Sequence, residues 1–134
     1  MATVETIRVV HSGGLQAGPS TAGMVRRQAF ACEGLWVGEV RTAAGAISGW
    51  HHHGEHTTVG RVLSGILRFE FGSEGAEHIE CIEAGPGDFF VVPPHVVHRE
   101  GNPGTDEQVL MVIRSGSGAT VVNVEEGEGA VAPK

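Results

Sequence analysis

Turn-forming residues limit this chain more than any other feature: 21 glycines and 6 prolines are scattered through 134 residues. No stretch of about 11 residues between them carries an apolar period of 3.6, so long helices are not expected. The intervening segments are short and rich in Val, Ile, Leu and Phe, the composition of strands. Residues 35–42, 57–63, 66–71, 78–82, 88–92, 108–115 and 120–123 are the clearest. So many short strands in one small chain hide their edges by closure or by face-to-face packing, which predicts an all-β sandwich or barrel.

At 134 residues the chain is one domain, long enough to bury roughly 65–70% of its unfolded surface. Residues 1–22 form an N-terminal arm in which 4–10 alternate weakly, as an edge or exchanged strand would, before a Gly/Ser/Pro-rich linker. Residues 23–124 carry the strands, and 125–134, acidic and Gly-rich, are expected to be a disordered tail. No apolar run approaches the ~18 residues of a membrane helix, and no basic-then-apolar leader opens the chain. A soluble, cytoplasmic protein is therefore expected, with Cys32 and Cys81 as small, reduced core residues. The net charge of −7 argues against nucleic acid and anionic membranes as partners. Lys134 is the only lysine, which excludes a Schiff-base lysine inside the fold.

Chemistry concentrates in the histidines. Four of them crowd into His51-His52-His53-Gly54-Glu55-His56. On a strand, His51 and His53 project together while His52 points the other way, so two imidazoles converge on one ion. A register slip of one residue would put His52 in place of His51. The third ligand expected is His98, just beyond the rigid Pro93-Pro94 step, with His95 in the intervening turn.

These residues carry a resemblance. Gly45-x5-His51-x-His53-x4-Thr58-x6-Gly65 resembles the first motif of the cupin family, and Gly87-x5-Pro93-x-His95-x2-His98-x3-Asn102 resembles the second, in order and with the family's internal spacing. The resemblance implies a double-stranded β-helix, the jelly-roll cupin barrel, with His51, His53 and His98 as metal ligands. Two positions depart from the pattern: Thr58 stands where the metal-binding glutamate is usual, and His95 where a glycine is usual. His56 is then a fourth ligand or an acid/base group behind the ligands, and Glu55 a weaker substitute that needs a bulge to turn inward.

Three neutral imidazoles leave a divalent ion its full charge, so such a site attracts anionic chelators such as enolates, hydroxy acids or diketonates. That suits an iron(II) oxygenase acting on a small chelating organic acid or diketone. Zinc, nickel, manganese or copper are alternative ions. The alternative functions are a zinc or nickel hydrolase or isomerase, and a non-catalytic small-molecule-binding barrel.

Glu100 and Asn102 share the strand parity of His98, and Glu100 is expected to orient a ligand or act as a base. Gly60 shares the parity of Thr58 and predicts open space. Phe69, Phe71, Phe89 or Phe90, and Trp36 are candidate walls, and Trp50 is expected on the outer side of its sheet. Arg26, Gln28 and Arg41 are candidates for binding a carboxylate at the cavity mouth. The resemblance and the N-terminal arm together imply a homodimer.

Overall fold

A computed structural model describes residues 6–18, 23–72, 79–116, 118 and 121–124. The expected tail, 125–134, lies outside them, as do residues 1–5 and positions 78 and 120 of two expected strands. A 3-10 turn at Ser12–Gly14 is followed by eleven strands: β1 Gln16–Ala17, β2 Met24–Cys32, β3 Leu35–Thr42, β4 His51–His52, β5 Thr57–Ser64, β6 Leu67–Phe71, β7 Glu80–Ala84, β8 Phe89–Val92, β9 His98–Gly101, β10 Gln108–Ser115 and β11 Val122–Asn123. They form two sheets, one ordered β1-β2-β3-β10-β5-β8 and the other β11-β4-β9-β6-β7, with every pairing antiparallel. Below they are called the large and the small sheet. The architecture is the all-β jelly roll expected. No helix among the described residues is long and apolar enough to cross a membrane.

Strand parity builds the core. On β3, Trp36, Val40 and Thr42 face inward, and on β10 Gln108, Leu110, Val112 and Arg114 do. Leu67 and Phe69 meet them from the small sheet, in a core that also holds Met24, Val62 and Val92. Stacked sheets lie roughly 10 Å apart. One row crosses the inner face of the large sheet through the registered neighbours Val92, Thr58, Arg114, Trp36 and Ala31.

The connections are pinned by polar contacts. Asn102 Nδ2 donates to the carbonyls of Thr42 (3.0 Å) and Asp106 (2.7 Å), and its Oδ1 accepts from the amide of Gly104. Gly65 turns the chain between β5 and β6 at φ +82°, where an added Cβ would lie 2.7 Å from the Gln108 Cα. The second motif's usual glycine position is a left-handed turn here too, occupied by His95 at φ +63°.

Residues 7–10 join no ladder within this chain, and the arm pairs through β1, Gln16 and Ala17 against Gln28 and Arg27 of β2. Several expectations are corrected. β2 itself breaks hydrophobic alternation because Arg26 points inward. Cys81 is exposed and Cys32 half-buried, since β7 is an edge strand open to solvent along most of its length. The space left by Gly60 is not open: an added Cβ would lie 2.5 Å from Phe90 Cζ and 2.6 Å from the Met111 carbonyl oxygen. The ring of Phe90 occupies it.

Candidate metal centre

The site is assembled by two turns that grip each other. Pro93-Pro94 ends β8, since proline cannot donate to a ladder. The left-handed His95 that follows donates its amide to the Gly54 carbonyl at 3.0 Å. This ties the turn before β9 to the turn after β4 and places His98 directly opposite His51 in the antiparallel register. His53 stands two residues beyond His51, and Glu100 two residues beyond His98.

One donor atom from each of His51, His53, His98 and Glu100 falls within 4.8 Å of the others, and all four residues are buried. The imidazole centroids are 4.5 Å apart for His51 and His98, 5.1 Å for His51 and His53, and 5.2 Å for His53 and His98. The Glu100 carboxylate oxygen lies 3.1 Å from His98 Nε2 and 3.5 Å from His51 Nε2. Behind the rings, His51 Nδ1 donates to the Gly49 carbonyl (3.0 Å) and His98 Nδ1 to the Val96 carbonyl (2.9 Å). A carbonyl only accepts, so Nδ1 carries the proton, and a neutral ring then directs its Nε2 lone pair at the carboxylate. Lone pairs facing a carboxylate oxygen are reconciled by a cation between them, a proton or a metal ion. The buried His51 Nε2 has no hydrogen bond of its own, and imidazole nitrogens with a carboxylate oxygen are a donor set for a divalent transition metal. The backbone carbonyls supply the outer contacts that fix ring orientation in such centres.

The electrostatics agree. Burial lowers the His51 pKa, opposed by Glu100, and pushes His53 down to about 2 with Arg114 adding to the effect, so both rings are neutral ligands at physiological pH. Burial alone would raise the Glu100 carboxyl, but N–H donation and positive charge from the His51 and His98 side, the role a bound ion would take over, hold the group well below the usual range. Ser48 Oγ accepts the Glu100 amide at 3.0 Å, and the Ser48 amide donates to the Glu100 carbonyl, locking the backbone on both sides.

Of His51 and His52, it is His51 that lies in the cluster. His52 stays outside the four, its Nδ1 accepting the Gly54 amide and its ring tilted over His95 at 5.8 Å. His56 is buried but also outside the four, with Nε2 3.1 Å from the Gly118 carbonyl and Nδ1 without a hydrogen bond. Glu55 is turned outward, 3.1 Å from His95 Nε2. Thr58 faces inward on β5 with its hydroxyl unbonded. The carboxylate missing there is supplied by Glu100, on the same strand as His98.

A cavity of about 440 Å³ has one of the four, His98, in its wall beside Phe69, Phe71, Val92 and Val96. Phe90 packs against Phe69 at 5.4 Å, whereas Phe89 lies outside under Arg61. Trp50 is covered by Arg99 at 4.9 Å. Of the expected carboxylate-binding side chains, Arg41 is at the surface with Glu39 and Glu107, and Gln28 accepts the Trp36 indole N–H. Arg26 is buried. Sequence reasoning missed Arg114, also buried, whose guanidinium lies 5.0 Å over the Trp36 ring. Its signal was available: Leu110, Val112 and Arg114 share one parity on β10.

Comparison with known proteins agrees with this fold. Residues 38–114 match the family model of the cupin domain. A germin-like protein of Arabidopsis thaliana, subfamily T member 3, is 31% identical over 80 residues, covering 60% of this chain but only 35% of that protein. KdgF from Halomonas sp. superposes with a TM-score of 0.65 at 22% identity, covering 84% of this chain and 96% of its own. An oxalate decarboxylase of Bacillus subtilis gives 0.68 at 21% identity, over 81% of this chain and 30% of that one.

Proposed function

The chain belongs to the cupin family, and from that premise we propose that it is a metal-dependent enzyme, an oxygenase acting on a small chelating organic acid or diketone. The observation that carries this reading is the buried set His51, His53, His98 and Glu100, with two imidazole lone pairs aimed at one carboxylate oxygen. A divalent ion bound there supplies Lewis acidity and, when it is iron(II), electrons for dioxygen chemistry. His51, His53, His98 and Glu100 would hold that ion, and a chelating ligand would complete its shell. The apolar walls Phe69, Phe71 and Val96 exclude water around it and strengthen every charge interaction inside. The outer hydrogen bonds from Gly49 and Val96 hold the rings against rotation when a ligand enters. His56, with a buried Nδ1 free of hydrogen bonds, is suited to accept or return a proton.

The test is elemental analysis of protein purified without a tag and without added metal, kept anaerobic, beside His98→Ala. Near-stoichiometric iron lost in the variant, followed by oxygen uptake with a chelating acid, is the expected result. Equal metal in both proteins refutes the centre. Turnover of such acids without oxygen uptake refutes the oxygenase and points to lyase, isomerase or hydrolase chemistry.

A further inference from the structure

Among the described residues, the buried side chains of formal charge at neutral pH are Arg26, Glu100 and Arg114. Two cations and one carboxylate already leave the interior positive, and a divalent ion at the Glu100 centre makes it more so. Buried charge of one sign is costly unless a partner of the other sign is present. Arg114 shows where that partner is missing. It is 3% exposed, its Nε and Nη1 make no hydrogen bond, and its guanidinium carbon lies over the Trp36 ring at 5.0 Å. Its neighbour in the register is Thr58, whose hydroxyl is also buried and unbonded. Next in the row is Val92, which lines the cavity together with His98. Adjacent strands are about 4.8 Å apart, so Arg114 stands two strand spacings inward from the cavity wall, on the sheet opposite the ligands.

We propose that Arg114 and Thr58 form a carboxylate-binding subsite facing the metal centre, so that the substrate is a small organic dianion: one end chelates at the His51, His53, His98 and Glu100 cluster, and a second carboxylate docks on Arg114. This rests on the metal-centre reading above and adds the identity of the ligand's far end. A planar guanidinium fixed on an aromatic ring matches a carboxylate through paired N–H bonds, and the Thr58 hydroxyl donates a third. Arg26 adds positive charge behind Arg114, seen in the further lowering of the Arg114 pKa to about 9 beyond the effect of burial. A carboxylate docked on Arg114 would give its unbonded guanidinium nitrogens a partner, which couples ligand charge to binding.

The experiment compares 2-oxoglutarate with 2-oxopentanoate, which share a chelating 2-oxo-acid end and differ by a carboxylate or a methyl at the other. Titrations follow the visible absorption of the cobalt(II)-loaded full chain, in the wild type, Arg114→Met and Arg114→Lys. The wild type is expected to bind 2-oxoglutarate roughly 10- to 100-fold more tightly, the range for a charged hydrogen-bonded pair. Arg114→Met brings the ratio to about one while 2-oxopentanoate affinity stays the same, and Arg114→Lys, which keeps the charge and loses the fork, falls between. A wild-type ratio near one, or a ratio unchanged in folded Arg114→Met, overturns the subsite. Metal failure is read separately, by glutarate and thermal melting of EDTA-treated protein. Glutarate stabilising the wild type but not Arg114→Met supports the subsite even where no cobalt binds, and equal shifts overturn it.

Discussion

Acidification of the metal-free protein tests the neutral-ligand arrangement directly. His53 is 1% exposed, and its folded pKa of about 2 lies far below the ordinary 6.5 because of burial and then the nearby Arg114. As pH falls below 6.5 the unfolded chain takes up a proton on this residue that the folded chain refuses until about pH 2. Stability from His53 is therefore complete above pH 6.5 and is lost progressively below it. The slope is about 1.4 kcal/mol per pH unit, so lowering pH to about 4.5 removes about 3 kcal/mol. Stopping there keeps most of the Glu100 titration out of the window, while His51, also lowered, acts in the same direction. Urea midpoints of EDTA-treated wild type and His53→Leu, compared across this range, isolate the residue. At a slope of ~1–3 kcal/mol/M, the wild type is expected to lose roughly 1–3 M more in midpoint than the variant. Parallel losses in the two proteins would show that His53 titrates normally in the fold and refute the reasoning.

Glu100→Gln keeps the shape of the fourth donor and removes its charge, so competition with a chromogenic chelator should show metal affinity lower by at least about tenfold. An unchanged affinity would remove Glu100 from the centre. Ser48→Ala leaves the buried Glu100 amide without its acceptor and should destabilise by about 1–3 kcal/mol in urea titration. A change below about 0.5 kcal/mol means that the amide finds another partner. Gly60→Ala drives a methyl group into the Phe90 ring and the Met111 carbonyl, and is expected to cost about 1–3 kcal/mol by thermal melting. A variant as stable as the wild type would mean that the cavity wall yields there.

The strands most easily read in sequence were those with dense apolar content. β3 and β10 emerge at their observed bounds, and β5, β6 and β8 within one residue. β2 was not read because Arg26 occupies an inward position, and a buried charge erases the alternation that marks a half-buried strand. β4 and β9 are too short to show a period, and were legible through histidine spacing alone. In the site, His51, His53 and His98 follow from parity and turn chemistry. The role of Glu100 did not, because a carboxylate two residues from a ligand supports or coordinates depending on distances that sequence does not contain. Gly60 misled for a related reason: glycine reports close approach as readily as empty space, and only the position of Phe90 distinguishes them.

The transfer of the carboxylate from position 58 to Glu100 has a mechanical consequence. All four donors now come from β4, β9 and the residue just after β4, neighbours in the small sheet, and none spans the gap to the large one. An ion held by these four would let the two sheets breathe, or close on a bound molecule, without stretching a coordination bond. It also divides the labour of sequence change: the inner face of β5 and β10 is free to drift toward new ligands while the ion-holding leaf stays as it is. In this barrel, tuning what is bound and keeping what binds it are separable tasks.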